Sequence, residues 1–71
     1  MARKARLLLA RRLKQLRKQF GYTQQMVSDK SSLDYKYYQS IEGKNPPNVT
    51  IDSLERLAKS FQISLSELLK G

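Results

Sequence analysis

TQQMVSDKSSLDYKYYQSIE, residues 23–42, reads as two short helical segments with a tight turn between them. Thr23 is a good N-cap, because its hydroxyl can accept an otherwise orphaned amide of a helix over residues 24–30. Val27 is the inward residue of that helix. Ser31-Ser32-Leu33 follows as a turn, and Asp34 is placed to cap a further helix running to about Glu42. In that helix Leu33, Tyr38 and Ile41 take the inner side. At about 100° per residue, Lys36, Gln39 and Ser40 gather on the opposite face, flanked by Tyr35.

Upstream, Met1 to Arg6 is a short basic lead, expected to be partly flexible, and Leu9, Leu13, Leu16 and Phe20 then recur at spacings of four, three and four. That is one apolar stripe of an amphipathic helix from Leu7 to about Gln19, with Arg11, Arg12, Lys14 and Lys18 off the stripe. Gly21 ends it and Tyr22 follows as an apolar anchor. Downstream, GKNPPNV over residues 43–49 is dense in helix breakers and reads as a loop. Thr50 caps a fourth helix, with Asp52 and Glu55 near its positive end and Leu54, Leu57, Ala58 and Phe61 on its apolar side. Ser64-Leu65-Ser66-Glu67 is a capping box opening a last turn that carries Leu65, Leu68 and Leu69. The fold class expected is all-α: five helices in one domain over residues 7–71.

Composition narrows the function. The 71 residues contain neither cysteine nor histidine, which removes disulfides, thiolate metal sites and the usual general base. No catalytic residue, metal or cofactor is expected. Fourteen Lys and Arg against six Asp and Glu give a net charge of +8, and eight of the basic residues lie in the first eighteen. Such an excess on so small a body favours a polyanionic partner, nucleic acid or an anionic membrane surface. The apolar run Leu7 to Ala10 is too short to span a bilayer. A cytoplasmic protein is the expectation, nucleoid-associated when it is bound to DNA.

The order of elements is that of a helix-turn-helix, spanning about residues 23–42, whose second helix enters the major groove of DNA. The chain resembles the Cro/repressor-type helix-turn-helix domain, the XRE family. The resemblance rests on Leu13-x-x-Leu16-Arg17, Tyr22-Thr23-Gln24, Ile41-Glu42-x-Lys44-x-Pro46, Leu54-Glu55-Arg56-Leu57-Ala58-Lys59 and Ile63-Ser64-Leu65-Ser66-Glu67-Leu68-Leu69, in that order. It covers about residues 7–69. Three positions depart from the family's pattern. Ser28 stands where a tightly packed alanine is usual, Ser32 replaces the turn glycine, and the Glu-x-Gly ending of the third helix takes the form Glu42-Gly43-Lys44, a shift or a one-residue deletion.

The resemblance implies roles for individual residues. Tyr35, Lys36, Gln39 and Ser40 fall where the family meets base edges, with glutamine suited to bidentate pairing with adenine and lysine to guanine. Gln24 and Thr23, at the start of the second helix, and Lys44 and Asn45, after the third, fall where it meets phosphates. Tyr37 lies at the edge of the third helix, within a hydroxyl's reach of the backbone. Arg17 and Glu42 match a structural ion pair, from which Arg17 also approaches a phosphate. Leu65, Leu68 and Leu69 are expected to close the core and to meet a second copy. An exposed polar helix face and a solvated charge run would look the same for Lys36, Gln39 and the basic first helix. The reading is a sequence-specific, double-stranded-DNA-binding transcriptional regulator, a homodimer on a (pseudo)palindromic operator. The alternative is an antitoxin-type module that masks a toxin and binds DNA secondarily. Polymerase or a toxin is the expected protein partner.

Overall fold

Helix α1 spans Arg3–Phe20. It begins four residues ahead of the expected Leu7, because Arg3, Lys4, Ala5 and Arg6 are good helix formers with no breaker among them. The structure is a computed structural model describing residues 2–70. Met1 of the basic lead and Gly71, the end of the expected domain, lie outside the described residues. Gly21 ends α1 in the left-handed region at φ 69°, where its amide bonds back to Lys18 O. Leu9, Leu13 and Leu16 are buried as expected, whereas Phe20 stays partly exposed. Its ring closes an aromatic cluster instead, 5.3 Å from Tyr22 and 5.4 Å from Phe61.

Helices α2 (Gln24–Ser31) and α3 (Tyr35–Ile41) form the expected pair. Thr23 Oγ1 accepts from Met26 N at 3.1 Å, and Asp34 Oδ2 accepts from Tyr37 N at 3.1 Å. The turn is set by Ser32, whose left-handed backbone (φ 58°) does what a glycine would do. Ser28 is buried and donates its hydroxyl to Gln25 O at 2.9 Å, which satisfies the extra polar atom at a site shaped for alanine. Gly43 has no left-handed backbone. A Cβ there would lie 3.3 Å from Ser40 O, so the glycine allows the chain to leave α3 closely.

Helices α4 (Ile51–Ser60) and α5 (Leu65–Leu69) complete the domain, capped by Thr50 and Ser64, which accept from Ser53 N and Glu67 N. Among the described residues there are five helices and no strand. Helix α2 packs on α3 and α4, while α5 bridges α1 and α4. Leu13, Val27, Tyr38, Ile41, Leu57, Phe61 and Leu68 are the fully buried centre. Leu68, expected at a contact between copies, has no accessible surface: the short α5 turns it straight into its own chain's core. Among the described residues no helix is long and apolar enough to cross a membrane.

Candidate nucleic-acid interface

The outward face of α3 is positioned by a buried carboxylate at its end. Glu42 is only 3% exposed, a costly place for a charge unless it is paired and hydrogen-bonded. Arg17 supplies two bonds, Nε to Oε2 at 2.9 Å and Nη2 to Oε1 at 3.1 Å. Gln24 Nε2 donates to Oε1 at 3.1 Å, and the Tyr38 hydroxyl donates to Oε2. Helices α1, α2 and α3 are therefore joined at one group. Burial pushes the Glu42 carboxyl up. The bonds from Arg17, Tyr38 and Gln24, with the charge of Arg17, outweigh it and hold the carboxyl below the usual value. The hydrogen bond to Glu42 raises Arg17, whereas burial first and the bond to Glu42 second raise the Tyr38 phenol.

The ion pair expected between Arg17 and Glu42 is thus formed. Reading Tyr38 as a plain core residue missed half of its role. Its ring is core, but its hydroxyl completes the carboxylate, and the signal was a phenol four residues before the only acid of α3's end.

Tyr35, Lys36, Gln39 and Ser40 are exposed together on the face of α3 away from the core. Gln39 Nε2 donates to Tyr35 Oη at 3.1 Å and faces Gln24 Oε1 at 3.5 Å. The Ser40 hydroxyl is turned back to Tyr37 O at 2.6 Å. Tyr37 is half-buried against the core.

On one flank lies the start of α2, where the first amides point out of the helix and favour an anion. Thr23 Oγ1 accepts its capping bond there, which leaves its O–H proton to donate. Gln24, expected to grip a phosphate with its side chain, has that side chain half-buried and engaged with Glu42.

On the other flank Lys44 shares a groove with Arg11 and Lys14 of α1, and Arg3 Nη1 donates to Asn45 Oδ1 at 3.2 Å. The sequence alone offers the α1 charges as general phosphate attraction or a solvated face, and does not group them with Lys44. The signal was their spacing. Lys4, Leu7, Arg11, Lys14 and Lys18 recur at three or four and so share one face of the helix.

Comparison with known proteins agrees with this geometry. The helix-turn-helix domain family matches residues 10–71. Among solved structures, a tyrosine-to-phenylalanine mutant of the restriction–modification controller protein C.Esp1396I is 32% identical. The match covers 99% of this chain and 91% of that one, with a TM-score of 0.84. No curated protein matches the chain. With the paired helices, the polar face of α3 and the basic flank beside it in place, the chain belongs to the helix-turn-helix family of the Cro/repressor (XRE) type and is a DNA-binding transcriptional regulator, not an enzyme.

Proposed function

We propose that the protein acts as a homodimer on a (pseudo)palindromic operator in double-stranded DNA, with α3 of each copy in the major groove. The observation that carries this reading is the exposed row of Tyr35, Lys36 and Gln39 between two phosphate-suited flanks. Lys36 and the Gln39–Tyr35 pair meet base edges, and Ser40 lies beside them. Thr23, the α2 amides and the remaining N–H of Gln24 hold one strand's phosphates, and Lys44, Asn45, Arg11 and Lys14 hold the other flank. Arg17 acts mainly through Glu42, and Tyr37 reaches the backbone with its hydroxyl. Transcription is regulated in the cytoplasm by occupancy of promoter DNA.

The second copy is assigned to the apolar groove between α1, α4 and α5. Leu8, Ile51 and Leu69 are about half exposed or more there, around a cavity of about 490 Å³. A lone module buries too little surface for strong operator discrimination, which favours pairing through such a face. At about 100° per residue the groove side of α1 (Ala5, Leu8, Leu9, Arg12) lies nearly opposite its Arg11–Lys14 side. One face can therefore pair while the other stays on DNA. Of the three leucines expected at a contact between copies, Leu69 stands exposed at this groove, Leu65 is half-buried and lines a separate pocket with Glu55 and Lys59, and Leu68 is buried.

The test is selection of bound duplexes from a random pool at near-physiological salt. Recovery of a two-fold symmetric motif with half-sites about 34–36 Å apart supports the reading. Retention that collapses with salt and selects no motif overturns it.

A further inference from the structure

A carboxylate can only accept hydrogen bonds, so the atom of Gln24 facing Glu42 must be its amide nitrogen. The Gln24 amide is thereby fixed, and its oxygen is turned toward α3. Gln39 answers that oxygen with nitrogen, not oxygen, since two carbonyl oxygens face to face would repel. The same Gln39 nitrogen has two protons. One points to Gln24 Oε1 and the other to Tyr35 Oη, which therefore accepts and keeps its own proton to donate.

We infer that Glu42, acting through Gln24, fixes the donor and acceptor pattern that α3 offers to a base pair: Gln39 presents its amide oxygen alone and Tyr35 presents its O–H. The chemistry selected is then defined. The Gln39 oxygen takes a hydrogen from an exocyclic amine in the major groove, that of adenine or cytosine. The Tyr35 hydroxyl donates to an acceptor on the neighbouring base pair, a purine N7, guanine O6 or thymine O4. The bidentate glutamine–adenine contact expected from the sequence needs a proton that Gln39 has already committed within the protein. Gln24 is a positioning residue in this scheme. It sets which base is read without touching that base.

This inference rests on the operator-reading function proposed above, and one experiment separates the two. Selection is run on the wild type, Gln39→Ala and Gln24→Leu, each checked by circular dichroism. Gln39→Ala is expected to flatten preference at one base pair. In the wild-type operator, replacing that pair's amine with N6-methyladenine or N4-methylcytosine blocks the groove-facing hydrogen without breaking pairing. It is expected to weaken binding by about tenfold or more. The 7-deaza purine at the same pair removes N7 and is expected to change binding less than about twofold. Gln24→Leu frees the Gln39 nitrogen, so the selected base changes at that pair or N7 becomes required there.

An N7 requirement at that pair in the wild type means bidentate reading and overturns the inference while the operator reader stands. So does a Gln24→Leu protein whose base preference at that pair stays as in the wild type, since loss of its phosphate contact alone weakens every sequence alike. If the wild type selects no motif, both fall together. The analogue series uses unaltered protein, so it decides the matter even where Gln24→Leu folds poorly.

Discussion

Glu42 shows how a single side chain couples stability to geometry. Its depressed pKa contributes stability above the ordinary carboxyl value of about 4.3, and that contribution is lost as pH falls through the lower folded value. Tyr38 runs the other way. Its raised pKa contributes stability that is complete below about 10 and is lost as pH rises through the folded value. Thermal melts across pH are therefore expected to fall at both ends. Tyr38→Phe should cost about 1–3 kcal/mol in urea unfolding at pH 7, since it takes a donor from a buried carboxylate, and should remove the Tyr38 share of the alkaline loss. An unchanged alkaline limb would show that the phenol plays no such part. Ser32→Gly works in the opposite direction. Relief of the left-handed backbone is expected to stabilise by about 0.5–1 kcal/mol, after the added entropy of an unfolded glycine is subtracted.

Among the helices, the informative contrast is between what local chemistry specifies and what it leaves open. Caps at Thr23, Asp34, Thr50 and Ser64 were legible because each pairs a short oxygen side chain with a following apolar pattern, and all four accept their expected amides. The start of α1 was not, because a basic stretch lacks apolar period and its helicity comes from propensity alone. Gln24 was only half legible for a different reason. Its position at a helix start suggested an anion grip, but a carboxylate eighteen residues away in sequence claims its amide, and local sequence carries no trace of that. The basic stripe of α1 gives a test at this scale. Lys14→Ala is expected to weaken binding about equally on all duplexes and to lower the slope of log affinity against log salt by about 1. Lys36→Ala should instead relax preference at one base pair, at a cost of about 1–3 kcal/mol on the selected site. Sequence-blind losses from both would take α3 out of the groove.

The molecule as a whole has two surfaces to serve, and α1 separates them. Its Arg11–Lys14 side joins Lys44 beside the end of α3, and its Ala5–Leu8–Arg12 side opens with Ile51 and Leu69 onto the apolar groove. A dimer built through that groove makes operator affinity depend on both copies. A single half-site is then bound through one copy's phosphate and base contacts alone. Ile51→Glu is the substitution that isolates this step. Ile51 is the first residue of α4 and is 66% exposed, so a glutamate there suits the positive end of the helix and leaves the core untouched. Sedimentation is expected to show the wild type as two copies and Ile51→Glu as one, with unchanged circular dichroism. Binding to the full operator should fall steeply while binding to an isolated half-site is kept. Leu68→Ala provides the contrast: it should cost about 2–5 kcal/mol of folding stability instead of dissociating a folded pair, because Leu68 lies wholly inside its own chain. A dimer that survives Ile51→Glu would place the contact elsewhere. A wild type found as a single copy would leave the groove free for a different protein, and masking of that partner would replace cooperative operator binding as its use.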